Sequence, residues 1–142
     1  MFRGNAAHSL DDKGRVIIPQ KFRLLLGEKF IITIGVDRCL WVFTEEEFRQ
    51  LEKRLEDQPM LSRNALVLQR RFCGEAIEVS TDTQGRVALP ANLREFAGID
   101  REVAIVGANT RLEIWDRKSW EQMMSGLTDE QLREAAREVG IA

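Results

Sequence analysis

One histidine, two cysteines and no apolar run approaching a membrane span leave this chain of 142 residues with few means of doing chemistry. A single imidazole, His8, cannot supply a Ser/His/Asp triad or a paired-histidine metal site. Cys39 and Cys73 are too few for a disulfide framework or a metal cluster, and they read as small buried or half-buried residues rather than redox partners. No CxxC pair, Walker loop or GxGxxG follows a strand, and nothing singles out a pair of carboxylates for acid–base work. The chain therefore reads as a non-enzyme without metal, cofactor or small-molecule substrate. No stretch of about 18 apolar residues is present to span a membrane, and the opening MFRGNAAHSL has no apolar leader segment. With 44% hydrophobic residues and a net charge of −2, the chain has the composition of a folded, soluble, cytoplasmic protein. Its length favours one domain, and its acidic balance, at face value, argues against nucleic acid.

What the sequence does have is an internal repeat. Residues 11–19 read DDKGRVIIP and residues 82–90 read DTQGRVALP, an offset of 71. The same offset pairs Arg23 with Arg94 and Gly27 with Gly98; one residue more pairs Gly35 with Gly107, Leu40 with Leu112, Phe43 with Trp115 and Phe48 with Trp120. Each copy predicts an extended segment, a polar turn closed by Gly14 or Gly85, and a short apolar strand over 15–18 or 86–89. Pro19 and Pro90 then open short helices, and Gly27 and Gly98 close them. Two further apolar strands and a helix follow in each copy, the helices announced by Thr44 with Glu47 and by Asp116. The division expected is a first repeat over residues 1–50, a helical linker over 51–71 with a cap at Ser62, a second repeat over 72–122 and a helical tail over 123–142. The tail carries a second capping pattern, Thr128 with Gln131, but only a thin apolar face, which makes it the least firmly held element. Units this short are marginal alone, so both should fold into one β-rich body with pseudo-twofold symmetry. Trp41, Trp115 and Trp120 fall at apolar positions and read as packing residues rather than base-stacking platforms.

The distribution of charge says more than its total. Residues 1–29 hold six bases against three acids and residues 61–75 hold three against one, while residues 113–142 carry seven acids against four bases. A basic arm on an acidic body can bind phosphates locally. The arm contains the first of two Asp-x-x-x-Arg motifs, Asp11 with Arg15 and Asp82 with Arg86, each passing through a Gly turn into a strand. The aspartate can accept turn N–H groups or hold the guanidinium in a forked pair, and a guanidinium held so can read phosphate or a guanine edge. The same spacing also suits a salt bridge that only pins the turn, and an interaction scaffold built on such turns is the rival reading.

These motifs resemble a known family. The opening MFRGN-x-x-H-x-LD-x-KGR-V-IP and the later TD-x-QGRV-x-LP-x-x-LR-x-x-AGI are similar to MraZ, a bacterial transcriptional regulator of the division and cell-wall gene cluster with two AbrB-like repeats. The resemblance covers residues 1–125. It implies a β-dominated α+β fold, a double-split, swapped-hairpin β-barrel with flanking helices. It also implies a ring-like homo-oligomer, nucleoid-associated, binding double-stranded DNA at repeated promoter boxes. The family's DNA-binding signature falls on Asp11 with Arg15 and on Asp82 with Arg86. Together with the charge distribution, it assigns the main DNA contact to the first repeat: Arg15 principally, with Lys13, Arg3 and His8 in support and Arg86 in the partly structural second motif. Asp11, Gly14, Asp82 and Gly85 would shape the turns and orient the arginines.

Overall fold

Proline and glycine punctuate both copies of the repeat as expected. The structure, a computed structural model, describes residues 1–142. In chain order it comprises β1 (Asn5–Ser9), β2 (Arg15–Ile17), α1 (Gln20–Leu26), β3 (Phe30–Ile34), β4 (Leu40–Thr44), α2 (Glu45–Glu56), α3 (Arg63–Leu68), β5 (Ile77–Val79), β6 (Arg86–Ala88), α4 (Ala91–Ala97), β7 (Glu102–Ala108), β8 (Arg111–Asp116), α5 (Arg117–Ser125) and α6 (Asp129–Glu138). Pro19 and Pro90 occupy the N-caps of α1 and α4, and Gly27 and Gly98 end those helices at positive φ. Thr44, Ser62, Asp116 and Thr128 each accept a backbone N–H at the start of α2, α3, α5 and α6. A π-helical segment, Gln69–Cys73, continues α3, and nothing in the side-chain pattern announces it.

The strands form an antiparallel six-stranded sheet in the order β1-β7-β8-β4-β3-β5, and a separate ribbon of β2 with β6. Each repeat thus gives its first strand to the other: β1 pairs with β7, and β5 pairs with β3. Strands β4 and β8 meet at the pseudo-twofold axis, with Trp41 opposite Glu113. The hydrogen-bonded series ends at β1 and β5, so the barrel implied by the resemblance does not close through these pairings. The result is a β-rich α+β body with six α-helices around it.

Alternation along the strands sorts the side chains. Ile32, Leu40, Val42, Ile105, Leu112 and Ile114 share one core with Phe2, Phe22 and Phe30, each at 1% exposure or less. Burying each such side chain contributes about 1.5–3 kcal/mol. The other face of β7 and β8 buries Ala104, Val106 and Trp115 with Cys39. The aromatic pairs matched across the repeat do equivalent jobs: Phe43 with Phe48 at 5.7 Å between ring centroids docks α2, and Trp115 with Trp120 at 5.6 Å docks α5. Trp41 stacks on Phe72 at 5.3 Å, so the tryptophans are committed to packing. Burial pushes the Cys39 thiol up to about 12. Cys73 departs from expectation and is exposed, because it ends the π-helical segment on the side facing solvent.

Candidate nucleic-acid interface

Asp11 closes the first turn with its own side chain. Its Oδ1 accepts the backbone N–H groups of Lys13 and Arg15, each at 2.9 Å, and its Oδ2 accepts Arg15 Nε at 2.7 Å. Asp82 repeats the pattern with the N–H groups of Gln84 and Arg86, each at 2.9 Å, and with Arg86 Nε at 2.8 Å. Gly14 and Gly85 stand at φ of +72° and +79°, the left-handed region that would cost another residue about 1–2 kcal/mol. Their N–H groups donate to the carbonyls of Asp11 and Asp82 at 3.0 Å, completing each turn.

The converging donors also set the acidity of both aspartates. The Arg15 backbone N–H, with the Arg15 side chain and Lys13 N–H adding to it against partial desolvation, holds Asp11 at about 2, below the ordinary 3.8. Asp82 is lowered by the same arrangement, led by the Arg86 backbone N–H. A carboxyl whose folded pKa is depressed adds stability that is complete above its unfolded pKa and is lost as pH falls through the folded value. Asp11→Asn should therefore melt below the parent protein at neutral pH, and the gap should close between about pH 4 and pH 2. Thermal unfolding across that range checks this; a gap that stays constant would remove the carboxylate from the turn's stability.

The pairing leaves the arginines largely free. Arg15 spends only its Nε on Asp11, and neither terminal NH2 group makes a hydrogen bond within the chain. Arg86 likewise spends its Nε on Asp82, but its Nη1 also lies 3.8 Å from Asp11 Oδ2. Asp11 therefore faces both arginines, while Asp82 pairs only with Arg86. The ribbon register sets Arg15 opposite Ala88 and Ile17 opposite Arg86. Alternation then puts Arg15, Ile17, Arg86 and Ala88 on one outward face, above Val16 and Val87, which are buried. Each turn is gripped by the opposite repeat: Ile18 N–H donates to the Gly85 carbonyl and Leu89 N–H to the Gly14 carbonyl, both at 2.9 Å.

Two further guanidiniums pack crosswise on these turns. A Cβ at Gly14 would lie 3.2 Å from the Arg94 guanidinium carbon, and one at Gly85 would collide with the Arg23 guanidinium. Neither arginine forms an ion pair with a carboxylate, and Arg94 Nε is buried without a hydrogen-bond partner. Arg101 stands at the edge of the first turn, 3.7 Å from Asp12. The structure thus gathers Lys13, Arg15 and Arg86 with Asp11, Gly14, Asp82 and Gly85 at one end of the molecule, as the motifs suggest. It does not bring Arg3 and His8 there. Arg3 precedes β1 at the end opposite the turn, and His8 stands across from Val103 on the core-facing side of that strand. From sequence Arg23 counts only as one of the bases near the first motif, and Arg94 and Arg101 are not singled out; the alignment of Arg23 with Arg94 in the repeat is the available signal.

The chain as a whole is similar to known proteins. The family model described as "MraZ protein, putative antitoxin-like" matches the chain twice, over residues 1–71 and 72–139. The chain is also 49% identical over 121 residues to the transcriptional regulator MraZ of Acetivibrio thermocellus, an alignment covering 85% of each protein. With both motif turns intact in the two matched halves, the chain belongs to the MraZ family.

Proposed function

We propose that this protein is a sequence-specific DNA-binding transcriptional regulator, acting as a homo-oligomer on repeated promoter boxes of the division and cell-wall gene cluster. The observation that carries the reading is the ribbon face on which two aspartate-locked turns present Arg15 and Arg86, each hydrogen-bonded within the chain through its Nε alone. A two-stranded ribbon fits the major groove, where a forked guanidinium reads guanine or fixes a phosphate. Lys13, Arg23, Arg94 and Arg101 surround that face with charge for the DNA backbone. The name of the 49%-identical relative supports a role in transcription. The exchange of first strands between repeats supports the swapped-hairpin reading of the fold. One chain offers few contacts, so affinity would come from several copies engaging spaced boxes together. The function requires neither cofactor nor metal, and it places the protein on the nucleoid.

Gel shift on the DNA upstream of its own gene, at two salt concentrations, tests the proposal. Specific binding that weakens steeply with salt is expected. Absence of binding at low salt would overturn it in favour of an interaction scaffold whose Asp–Arg pairs only pin turns.

A further inference from the structure

The tail helix α6 has no seat in its own chain. No residue of it is buried; Leu132 and Val139 are 66% and 71% exposed. Yet the helix is locally well specified, because Thr128 and Gln131 form a reciprocal capping box. At about 100° per residue, Leu132, Ala135, Ala136 and Val139 fall on one face. The opposite face satisfies itself: Arg133 pairs with Glu130 at 3.0 Å and Arg137 with Glu134 at 2.6 Å. Asp129 and Glu138 are left over, one on each border of the apolar stripe, and neither pairs with a base.

A surface of the opposite character lies between α1 and the N-terminus. Met1, Arg3, Lys21, Phe22 and Leu25 line a hollow of about 210 Å³, with Leu24 next to it on α1 at 77% exposure. Small-molecule sites run from about 300 Å³ upward, so this hollow suits protruding side chains better than a ligand. Arg3 and Lys21 form no ion pair, and Lys21 Nζ is held 4.9 Å over the Phe22 ring. An apolar stripe bordered by two unpaired acids therefore faces the demands of an apolar hollow bordered by two unpaired bases.

We infer that α6 of one copy docks its Leu132–Val139 stripe into the α1 hollow of a neighbouring copy, with Asp129 and Glu138 meeting Arg3 and Lys21. The inference rests on the self-association reading and adds its geometry. The two surfaces differ, so the contact is head-to-tail and propagates into a closed ring or an open chain rather than a twofold dimer. It also gives Arg3 a task, remote from the ribbon face.

Two measurements on the full chain test it. Leu132→Asp with Val139→Asp should bring the mass in light scattering down to the 16.3 kDa of one chain. Asp129→Lys with Glu138→Lys should weaken assembly at least tenfold, and adding Arg3→Glu with Lys21→Glu should restore it. In a Cys73→Ser background, Leu25→Cys and Ala136→Cys chains should cross-link under mild oxidation only when mixed. Assembly unchanged by the tail variants, with no cross-link in the mixture, would overturn this interface and leave self-association standing. A parent protein that is monomeric throughout would overturn the self-association reading itself.

Discussion

Arg15→Ala should abolish specific DNA binding while leaving the protein's mass and melting temperature where they were. Arg15 donates one side-chain bond to Asp11, and neither of its terminal NH2 groups hydrogen-bonds within the chain. A forked contact to a base edge is worth about 1–3 kcal/mol, roughly five- to 150-fold in affinity. An oligomer carries the substitution in every copy, so the loss compounds across all boxes engaged together and specific binding disappears. Stability should barely move, because a pair as open as Asp11 with Arg15 contributes about 0–1 kcal/mol. Arg15→Lys separates charge from shape: the ammonium keeps phosphate attraction and loses the fork, so salt-sensitive binding persists while the preference for the boxes falls. Arg86→Ala should weaken binding to a similar degree, since its turn has the same bonds and its side chain the same face. Titrating each variant against box and scrambled DNA at fixed salt measures these effects. Arg15→Ala binding as tightly as the parent protein would place the reading surface elsewhere.

Most of what depends on neighbours in sequence is legible without the structure, the π-helical segment excepted. The repeat shows that the two copies fold together but not which side chains their pairing brings into contact. Asp-x-x-Gly-Arg encodes its own turn, since one carboxylate reaches two N–H groups and a guanidinium within four residues. The Pro- and Gly-bounded helices and the four side-chain caps are equally local. Charge counted along the chain separates the two motifs, one on a basic arm and one in mildly acidic surroundings. The ribbon erases that separation by setting Ile17 opposite Arg86, and it brings Arg86 Nη1 within 3.8 Å of Asp11. The packing of Arg23 and Arg94 on the turns is hidden in the sequence for the same reason, because each lies against a glycine turn of the other repeat. Arg3 and His8 lie close to Arg15 in sequence, but an extended β1 carries Arg3 to the far end and sets His8 opposite Val103.

Neither half of the chain should fold by itself, although the repeat makes each half look like a unit. Cut after residue 71, the first half retains only the β3–β4 hairpin and the second only β7–β8. The other four pairings, β1–β7, β3–β5, β4–β8 and β2–β6, all join the halves. Of the 21 residues in the main core, eleven come from the first half and ten from the second, so each fragment would expose its share to water. A single hairpin is marginal in water, and the few helices that remain do not replace a lost sheet. The N-terminus makes the dependence plain. Phe2 exchanges backbone hydrogen bonds with Asn109 at 2.8 and 3.0 Å, Gly107 N–H donates to the Gly4 carbonyl at 2.7 Å, and a Cβ at Gly107 would strike the backbone of Arg3. Residues 1–71 and 72–142 expressed separately should show no cooperative thermal transition and little strand signal in far-ultraviolet circular dichroism. Mixed in equal amounts, they should regain both, because the pairings that join them are the ones each lacks. A cooperative melt from either fragment alone would mean that a repeat is self-sufficient, and that the exchange of first strands decorates a fold each copy already has.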